Sequence, residues 1–359
     1  MSDQVVSPRP GAQVQLEMAE QPEVLARIVG RRTELHELVR SRLPSRLRGI
    51  SLIARGSSDN VAVHARYLLE LATGLPVSLI APSIITRYHH TPDSRDHLVV
   101  ALSQSGKTPE IVDVARRLAD GGGMVVAVTN DDDSPLAAAA TVTLAVGTGR
   151  ELAVPATKTV TGQLALVTLL AEAVGSSIAE YTGGESAWAA LPDAAAQTLA
   201  DERLLAEAVA VLQPRGTAIH LARGLTYCAA LEGALKSKET SRRVHEGFSS
   251  ADFLHGPLTV ASDEVAVVAY GARGPVLADV AETARAAAEL GSPVIGVGAP
   301  EVWNGVPGAI GLAVPQTLGE ALAVIPLVIR GQQLAIATTL ALGLDPDRPA
   351  GLNKVTATH

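Results

Sequence analysis

The sequence predicts an α/β protein built from two doubly wound units in tandem, each with a mostly parallel sheet. Short apolar runs typical of buried strands alternate with amphipathic helical patterns, as in parallel sheets covered by helices on both faces. The alternation pauses at residues 183–198, which are richer in Gly, Pro and Ala, and then starts again. The motifs IARGSSDN and LARGLTYC follow matching strands in the two halves, which indicates that one unit is used twice.

The elements of the first unit follow from periodicity and from turn residues. Residues 14–48 alternate apolar and charged side chains at helical spacing, whereas the strands are apolar runs bounded by Gly or polar residues. The helix after the first strand has Ser or Asp as its N-cap and Gly74 near its end. In chain order we predict a strand at 49–55, a helix at 57–74, strands at 76–81 and 97–102, a helix at 108–122, strands at 124–130 and 140–146, and a helix at 156–175.

The second half repeats this order of elements. We predict a strand at 217–223, a helix at 224–241, a strand at 264–270, a helix at 276–290, a strand at 293–298 and an apolar helix at 322–343. The predicted domain organisation is a disordered leader at 1–12, a first unit at 13–182 that includes the N-terminal helices, a linker at 183–198, a second unit at 199–345 and a C-terminal tail at 346–359.

Composition excludes several classes of protein. The chain is 47% hydrophobic and 18% charged, which is typical of a packed globular protein. Cys228 is the one cysteine, so an intrachain disulfide framework and a multi-cysteine zinc site are excluded, and we expect neither a metal nor a cofactor. The net charge of −8 without a basic run argues against nucleic acid as a partner. Neither a signal peptide nor a transmembrane run is present in the sequence, so we expect a soluble cytoplasmic protein.

The motif LSQSGKTP connects the third strand to its helix and predicts an anion site. Gly106 permits a tight backbone turn, Thr108 can cap the helix, and Pro109 suits the first helical turn. Ser103, Ser105 and Thr108 would then converge on one point, where a phosphate with three acceptor oxygens fits. A P-loop is excluded because the spacing and the final Gly-Lys-Ser/Thr order are missing. The alternative is a polar turn with a good helix cap.

Neighbouring loops favour the phosphate interpretation. Ser57 and Ser58 follow the first strand, and Thr157 with Thr159 follows the fifth. Because the carboxyl ends of parallel strands meet at one edge of the sheet, these hydroxyls are expected beside the same ligand. Lys107 is more typical of a solvated side chain than of a phosphate ligand.

Ionisable residues of the second half could transfer protons on a sugar phosphate. Glu232, Lys236 and Glu239 are spaced by four and three residues, which places them on one helical face. His255 lies in a loop just before Gly-Pro, and Lys354 lies in the Pro-rich tail. Together a Glu, a His and a Lys suffice for acid–base chemistry. Taken singly, each is more often a surface ion pair or a solvated side chain.

In combination these motifs resemble a known family. ARGSSDN, SQSGKT, VPATKTVT, ALEGALKSKET, FLHGPL and DPDRPAGLNKV are similar, in this order, to the paired sugar-isomerase (SIS) domains in the isomerase half of glucosamine-6-phosphate synthase. The resemblance runs from about residue 14 to the end of the chain. It implies two tandem SIS domains. The implied substrate contacts are phosphate binding by Ser103, Gln104, Ser105 and Thr108, with Ser57 and Ser58 near the sugar and Val154 and Thr157 on the neighbouring loop.

The resemblance also implies catalytic roles. Glu239 matches the base that moves a proton between C1 and C2, and Glu232 and Lys236 match its companions on the helix. His255 matches a ring-opening histidine that the family supplies from the partner subunit, which implies a homodimer. Lys354 matches a tail lysine that can form an imine with the open ketose. This chain has Ala156 where the synthase has Ser, so the resemblance implies no side-chain hydroxyl contact with the sugar at this position.

The expected reaction follows from two differences between this chain and the synthase. The first predicted strand begins near the start of the chain and no cysteine lies there, so we expect no ammonia from glutamine by the synthase route. FSSADFLHGPL, NDDDSPLA and GLDPDRP resemble stand-alone glucosamine-6-phosphate deaminases more closely. The prediction is deaminating isomerisation of glucosamine 6-phosphate to fructose 6-phosphate and ammonia. Alternatives are dehydration of N-acetylglucosamine 6-phosphate by the same Glu and His, a deglycase for sugar-amine adducts, and a sugar-phosphate sensor.

Overall fold

A computed structural model describes residues 9–354 of the chain. The first eight residues of the predicted leader and the last five of the predicted tail lie outside this range. The remainder of the leader is ordered: the first helix begins at Ala12, and the backbone N–H of Gly11 donates to Asp345 Oδ1 over 3.1 Å. The leader prediction is therefore wrong for these residues, because a carboxylate from the other end of the chain binds this backbone.

Strands form two parallel sheets with the same internal order. The first contains β1 (Gly49–Ile53), β2 (Val77–Leu79), β3 (His97–Ser103), β4 (Met124–Thr129) and β5 (Val142–Ala145), ordered β2-β1-β3-β4-β5. The second contains β6 (Thr217–Ala222), β7 (Val244–Ser249), β8 (Val265–Gly271), β9 (Val294–Gly298) and β10 (Ile310–Ala313), ordered β10-β9-β8-β6-β7. These orders are equivalent when read from opposite edges, so the predicted tandem α/β fold is confirmed.

Helices connect the strands and cover both sheets. Their bounds are α1 (Ala12–Ala19), α2 (Gln21–Gly30), α3 (Arg32–Arg40), α4 (Ser57–Thr73), α5 (Pro82–Thr86), α6 (Pro109–Asp120), α7 (Pro135–Ala138), α8 (Lys158–Val174), α9 (Ala179–Thr182), α10 (Gly184–Ala200), α11 (Leu205–Leu212), α12 (Tyr227–Ser241), α13 (Ser250–Leu254), α14 (Leu277–Glu289) and α15 (Glu320–Ala341). Short 3₁₀ turns lie at Gly224–Thr226, Pro257–Val260 and Pro300–Val302.

The inner helices join the two units through one large core. Helices α4 and α8 pack together over the first sheet, α12 and α15 pack together over the second, and α4 also contacts α12. The strands contribute to this core through the side chains of one face. In β3, Leu98 and Val100 face the shared core, whereas Val99 faces a separate cluster under α6. Because the shared core locks the units together, loops of the first unit are held beside helices of the second.

The segment predicted as a linker is a helix. Residues 184–200 form α10, which packs against α2 and α15 and buries Trp188 and Leu191. Its many alanines, which suggested a loose connection, are good helix formers, and the buried positions recur at helical spacing. Strands β7 and β10 were not predicted, because both are edge strands with mixed burial rather than continuous apolar runs.

Helix α15 is the apolar centre of the second unit. Its length and mean hydropathy of 1.5 would suit a membrane span, but 94% of its most apolar window is buried inside the protein. The buried Arg330 side chain pairs with Asp201 at 3.1 Å between Nη2 and Oδ2. We conclude that α15 is a core helix.

Three aromatic side chains form a buried hydrogen-bonded row under α12. His220 Nδ1 lies 3.0 Å from the Tyr270 hydroxyl, and His220 Nε2 lies 2.9 Å from His245 Nδ1. Gly233 of α12 leaves room for the row, since a Cβ there would lie 2.3 Å from the Tyr270 hydroxyl. Burial lowers the pKa of His220 well below its ordinary value and that of His245 to about 4.

We expect acid to destabilise the protein partly through this row. Both imidazoles are neutral when folded but bind protons below about pH 6.5 when unfolded, so stability is lost as the pH falls from about 6.5 towards 4. His245→Gln should reduce the slope of unfolding free energy against pH by up to about 1.4 kcal/mol per pH unit. Urea unfolding between pH 7 and 4.5 measures this, with the exposed His90→Gln as control. An unchanged slope in His245→Gln would contradict the assignment.

Candidate functional site

A cavity of about 340 Å³ opens at the carboxyl edge of the first sheet. It lies beside the loops that follow β1 and β3, neighbouring strands at which the strand order reverses, and ligands bind at such a point in open parallel sheets. Helix α12 and the C-terminal tail complete its wall. The predicted site residues that line it are Ser57, Ser58, Ser103, Gln104, Ser105, Thr108, Val154, Lys236, Glu239 and Lys354.

The loop after β3 is held in shape by its own hydroxyls. The backbone N–H of Gly106 donates to Ser103 Oγ over 3.1 Å, and the next backbone N–H donates to Ser105 Oγ over 3.2 Å. Gly106 has a φ of +61°, and a Cβ there would lie 2.1 Å from Ser134 Oγ. Both the backbone conformation and the close approach therefore require glycine.

Helix α6 begins directly after this loop. Thr108 is its N-cap residue and Pro109 its first residue, as predicted, but the Thr108 side chain makes no capping hydrogen bond. Lys107 pairs on the surface with Asp131, at 2.9 Å between Nζ and Oδ2, which agrees with a solvated side chain. The helix N-terminus and the hydroxyls at one wall of the cavity are suited to an anion.

The loop after β1 supplies a second group of polar side chains. Ser58 Oγ donates to Gln163 Oε1 over 3.1 Å, which holds the start of α4 against α8. Arg55 also lines the cavity and pairs with Glu110 of α6, at 3.0 Å between Nη2 and Oε2. This ion pair ties the β1 loop to the first turn of α6 and places a guanidinium beside the serine loop.

The loop after β5 contributes Val154 and Ala156 to the cavity wall, and the first turn of α8 contributes Thr159. Thr157, which was expected beside the ligand, does not line the cavity. It is completely buried, and its backbone N–H donates to Glu151 Oε1 over 2.9 Å. Thr157 thus supports the start of α8. Thr159 lines the cavity although it is also buried, and its hydroxyl donates to Glu151 Oε2 over 3.0 Å.

Three ionisable side chains meet on α12, as their spacing predicted. Lys236 Nζ contacts the Glu239 carboxylate and lies 3.6 Å from Glu232 Oε1. Asn60 of α4 donates to Glu232 Oε2 over 2.8 Å. Burial alone would lower the pKa of Lys236, but Glu239 and Glu232 raise it above its ordinary value. Burial raises the pKa of Glu232, although Lys236 and Asn60 oppose this effect.

The three groups differ in their access to the cavity. Lys236 and Glu239 line it, whereas Glu232 is buried behind them and does not. The Glu239 side chain is 24% exposed against 2% for Lys236. Glu239 is therefore the carboxylate of this group that can reach a ligand, and Lys236 lies behind it as a buried cation.

The C-terminal tail crosses from the second unit to the first. Asp347 accepts backbone N–H donors from Gln13 and Val14 of α1, at 3.0 and 2.7 Å. Beyond this anchor, Lys354 reaches the cavity and its Nζ lies 3.0 Å from Glu151 Oε2. The predicted proximity of Lys354 to the serine loop is thus present within one chain.

His255 lies apart from these residues. It follows α13 on the second unit, is exposed, and does not line the cavity. Its assignment to a partner's site stays a prediction.

Sequence reasoning missed Glu151, Arg55, Asn60 and Gln163. Each follows a strand or lies on a helix near the carboxyl edge of the first sheet, but their importance comes from partners 55 to 203 residues away. Position near the sheet edge was the available signal for Glu151. Nothing in local spacing indicated its contact with Lys354.

Comparisons with known proteins show the family and the fold of the chain. The chain matches the SIS domain family over residues 46–173 and 212–299. A relative from Symbiobacterium thermophilum, named glutamine–fructose-6-phosphate aminotransferase (isomerizing), is 32% identical over 319 residues, which cover 86% of this chain and 51% of that protein. The chain thus spans about half the length of the curated relatives it matches.

Solved structures share the whole fold. A proposed phosphosugar isomerase from Silicibacter pomeroyi is 29% identical, with a TM-score of 0.81 that covers 93% of this chain and 99% of that one. A glucosamine-6-phosphate deaminase from Thermotoga maritima is 19% identical, with a TM-score of 0.69 over 94% of this chain and 100% of that one. At 19% identity the second likeness concerns the fold alone.

We expect Gly106→Ala to weaken phosphate binding at least about tenfold. The left-handed backbone costs alanine about 1–2 kcal/mol, and the added methyl group must also displace Ser134. Titration calorimetry with inorganic phosphate measures the effect. The matched control is Gly216→Ala, where a Cβ meets nothing within 4 Å. Equal phosphate affinity in the two variants would contradict a phosphate loop at Gly106.

Proposed function

Because the chain belongs to the SIS domain family, whose domain it carries twice, we propose that it is an enzyme acting on a phosphorylated amino sugar. The proposed reaction is deaminating isomerisation of glucosamine 6-phosphate to fructose 6-phosphate and ammonia. The observation that carries this proposal is the single cavity shared by the serine loop, Glu239 and Lys354. Its volume of about 340 Å³ suits a small ligand.

Phosphate binding would anchor the substrate. The hydroxyls of Ser103, Ser105 and Thr108 lie at the same wall as the N-terminus of α6, which favours a negative charge. An anchor at C6 leaves C1 and C2 free to approach α12. Binding energy from this remote group can then orient the reacting carbons.

Glu239 is the proposed base. With the ring open, C1 is an aldehyde, and the adjacent C2 proton is acidic. Glu239 removes that proton to form an enolamine and returns it to C1, which leaves an imine at C2. Water adds to this imine, and ammonia leaves, so that the product is fructose 6-phosphate. Lys236 remains cationic because its pKa is raised, and its contact with Glu239 orients the carboxylate.

Lys354 and His255 complete the proposed mechanism. The Lys354 amine can add to C2 of the open ketose and form an imine with loss of water, which holds the open-chain form. His255 would assist ring opening from a partner subunit, since it lies outside the cavity of its own chain. The proposed functional assembly is therefore a homodimer.

One observation favours a second candidate function. Ala156 lines the cavity, so no side-chain hydroxyl stands at that position. The space could accept an acetylated nitrogen, whose amide does not readily become an imine. Proton removal from C2 would then expel the 3-hydroxyl group, and the enzyme would be a dehydratase of N-acetylglucosamine 6-phosphate.

Product analysis separates these activities. Incubation with glucosamine 6-phosphate should release equal amounts of ammonia and fructose 6-phosphate. Absence of both products, together with an ultraviolet-absorbing enone from N-acetylglucosamine 6-phosphate, would replace the deaminase with the dehydratase. Tight binding of either sugar phosphate without turnover would support a sensor instead.

We expect Glu239→Gln to lower kcat about 10²–10⁴-fold, because general base catalysis supplies an effect of that size. The KM for glucosamine 6-phosphate should change less than about threefold, since the phosphate anchor is intact. Coupled assays of fructose 6-phosphate measure both constants. The control is Glu246→Gln, a half-exposed carboxylate that pairs with Lys238 on the surface. A Glu239→Gln enzyme with wild-type kcat would exclude Glu239 as the base.

Mixing two inactive variants tests the shared site. Glu239→Gln and His255→Ala should each be inactive alone. After subunit exchange about half of the dimers are mixed, and each mixed dimer has one intact site, so about a quarter of wild-type activity should return. Size-exclusion chromatography with light scattering checks the assembly. A fully active His255→Ala protein, or a mixture that stays inactive despite exchange, would argue against the shared site.

A further inference from the structure

Glu151 is a buried carboxylate to which neither the motifs nor the comparisons assign a role. It lies in the loop between β5 and α8, and its side chain has no exposed surface. Oε1 accepts the backbone N–H groups of Thr157 and Thr159, at 2.9 and 3.1 Å. Oε2 accepts the Thr159 hydroxyl at 3.0 Å and the Lys354 ammonium at 3.0 Å. Within residues 9–354, each of these hydrogen bonds to the carboxylate therefore comes from the start of α8 or from the tail lysine.

The two carboxylate oxygens of Glu151 bind different partners. Oε1 is bound to rigid backbone donors, so the orientation of the carboxylate is set by α8. This leaves Oε2 directed at Lys354 Nζ, which lies 3.0 Å away and is the opposite-charge partner that a buried carboxyl group requires. The tail residues just before Lys354 are exposed, so this ion pair is the polar contact that holds the end of the described tail on the protein.

Helix α1 holds both the loop that carries Glu151 and the tail that carries Lys354. Glu17 of α1 accepts the backbone N–H groups of Leu152 and Ala153, next to Glu151. The same helix binds Asp347 through two backbone N–H groups, and the carbonyl of Asp347 accepts the N–H of Val154. The loop and the tail are thus held against one common element. Their separation is set by the protein before any ligand binds.

We propose that Glu151 is the positioning residue for Lys354. It holds the amine in the cavity that Glu239 also lines. When the sugar is bound, Oε2 takes one proton from the Lys354 ammonium, the neutral amine adds to C2, and the same proton then leaves with the C2 hydroxyl as water. This inference rests on the proposed function, in which Lys354 forms an imine at C2. Glu151 itself contacts no substrate, and it acts through the lysine.

The first test is a double-mutant cycle. Glu151→Gln keeps the size of the side chain and an oxygen for the α8 backbone, but removes the charge that holds Lys354. We expect kcat to fall about tenfold or more, while the KM for glucosamine 6-phosphate and the melting temperature stay close to wild type. Combined with Lys354→Met, it should cause no further loss beyond Lys354→Met alone, since both changes remove the same interaction. Additive losses, or a loss explained by a lower melting temperature, would overturn the positioning role.

The second test is independent of activity. Trypsin can cleave after Lys354 and release Val-Thr-Ala-Thr-His, which mass spectrometry detects. We expect this cleavage to be at least about fivefold faster in Glu151→Gln than in wild type or in Glu246→Gln. Equal cleavage rates would overturn the proposal. If wild-type protein releases neither ammonia nor fructose 6-phosphate but the protection of Lys354 depends on Glu151, the proposed reaction fails and the positioning role stands.

Discussion

The buried charge of Lys236 is the interaction on which the site depends. Its ammonium is almost inaccessible and contacts Glu239 and Glu232 on the same helix, while Asn60 of the first unit binds Glu232. Removing Lys236 would leave Glu232 and Glu239 without a cation beside them, and an uncompensated buried charge is strongly destabilising. The group therefore requires α12 to lie against α4. The apolar core shared by the inner helices provides that contact.

The two units have the same strand order but different chemistry at their carboxyl edges. In the first unit, serines follow β3 and the cavity is open. In the second unit, Glu320 at the start of α15 occupies the matching place, so close to Gly274 that a Cβ there would lie 2.2 Å from Oε2. Burial raises the pKa of Glu320 to about 7. One copy of the unit thus carries the proposed anion site, and the other contributes α12, whose charged face lines the same cavity.

Sequence patterns predicted the parts of the structure that depend on neighbours along the chain. Apolar runs located β1, β3, β4 and β8, and the i, i+4 and i+7 spacing placed Glu232, Lys236 and Glu239 on one face. The same reasoning failed where composition and packing disagree. Residues 183–198 were predicted to be a linker because of their Gly, Pro and Ala content, yet residues 184–200 form α10, whose buried stripe includes Trp188. Edge strands such as β7 lack a continuous apolar signal.

The sequence by itself determined the tandem α/β fold, the serine loop with its obligatory Gly106, and the charged face of α12. These features are local, since they arise from helical and strand periodicity or from one backbone conformation. The tertiary structure alone decided that Thr157 is buried and does not line the cavity, that Glu151 pairs with Lys354, and that Asn60 donates to Glu232. Those contacts join residues far apart in the chain. They exist because the inner helices pack into one core, and no short-range pattern encodes which loops that packing brings together.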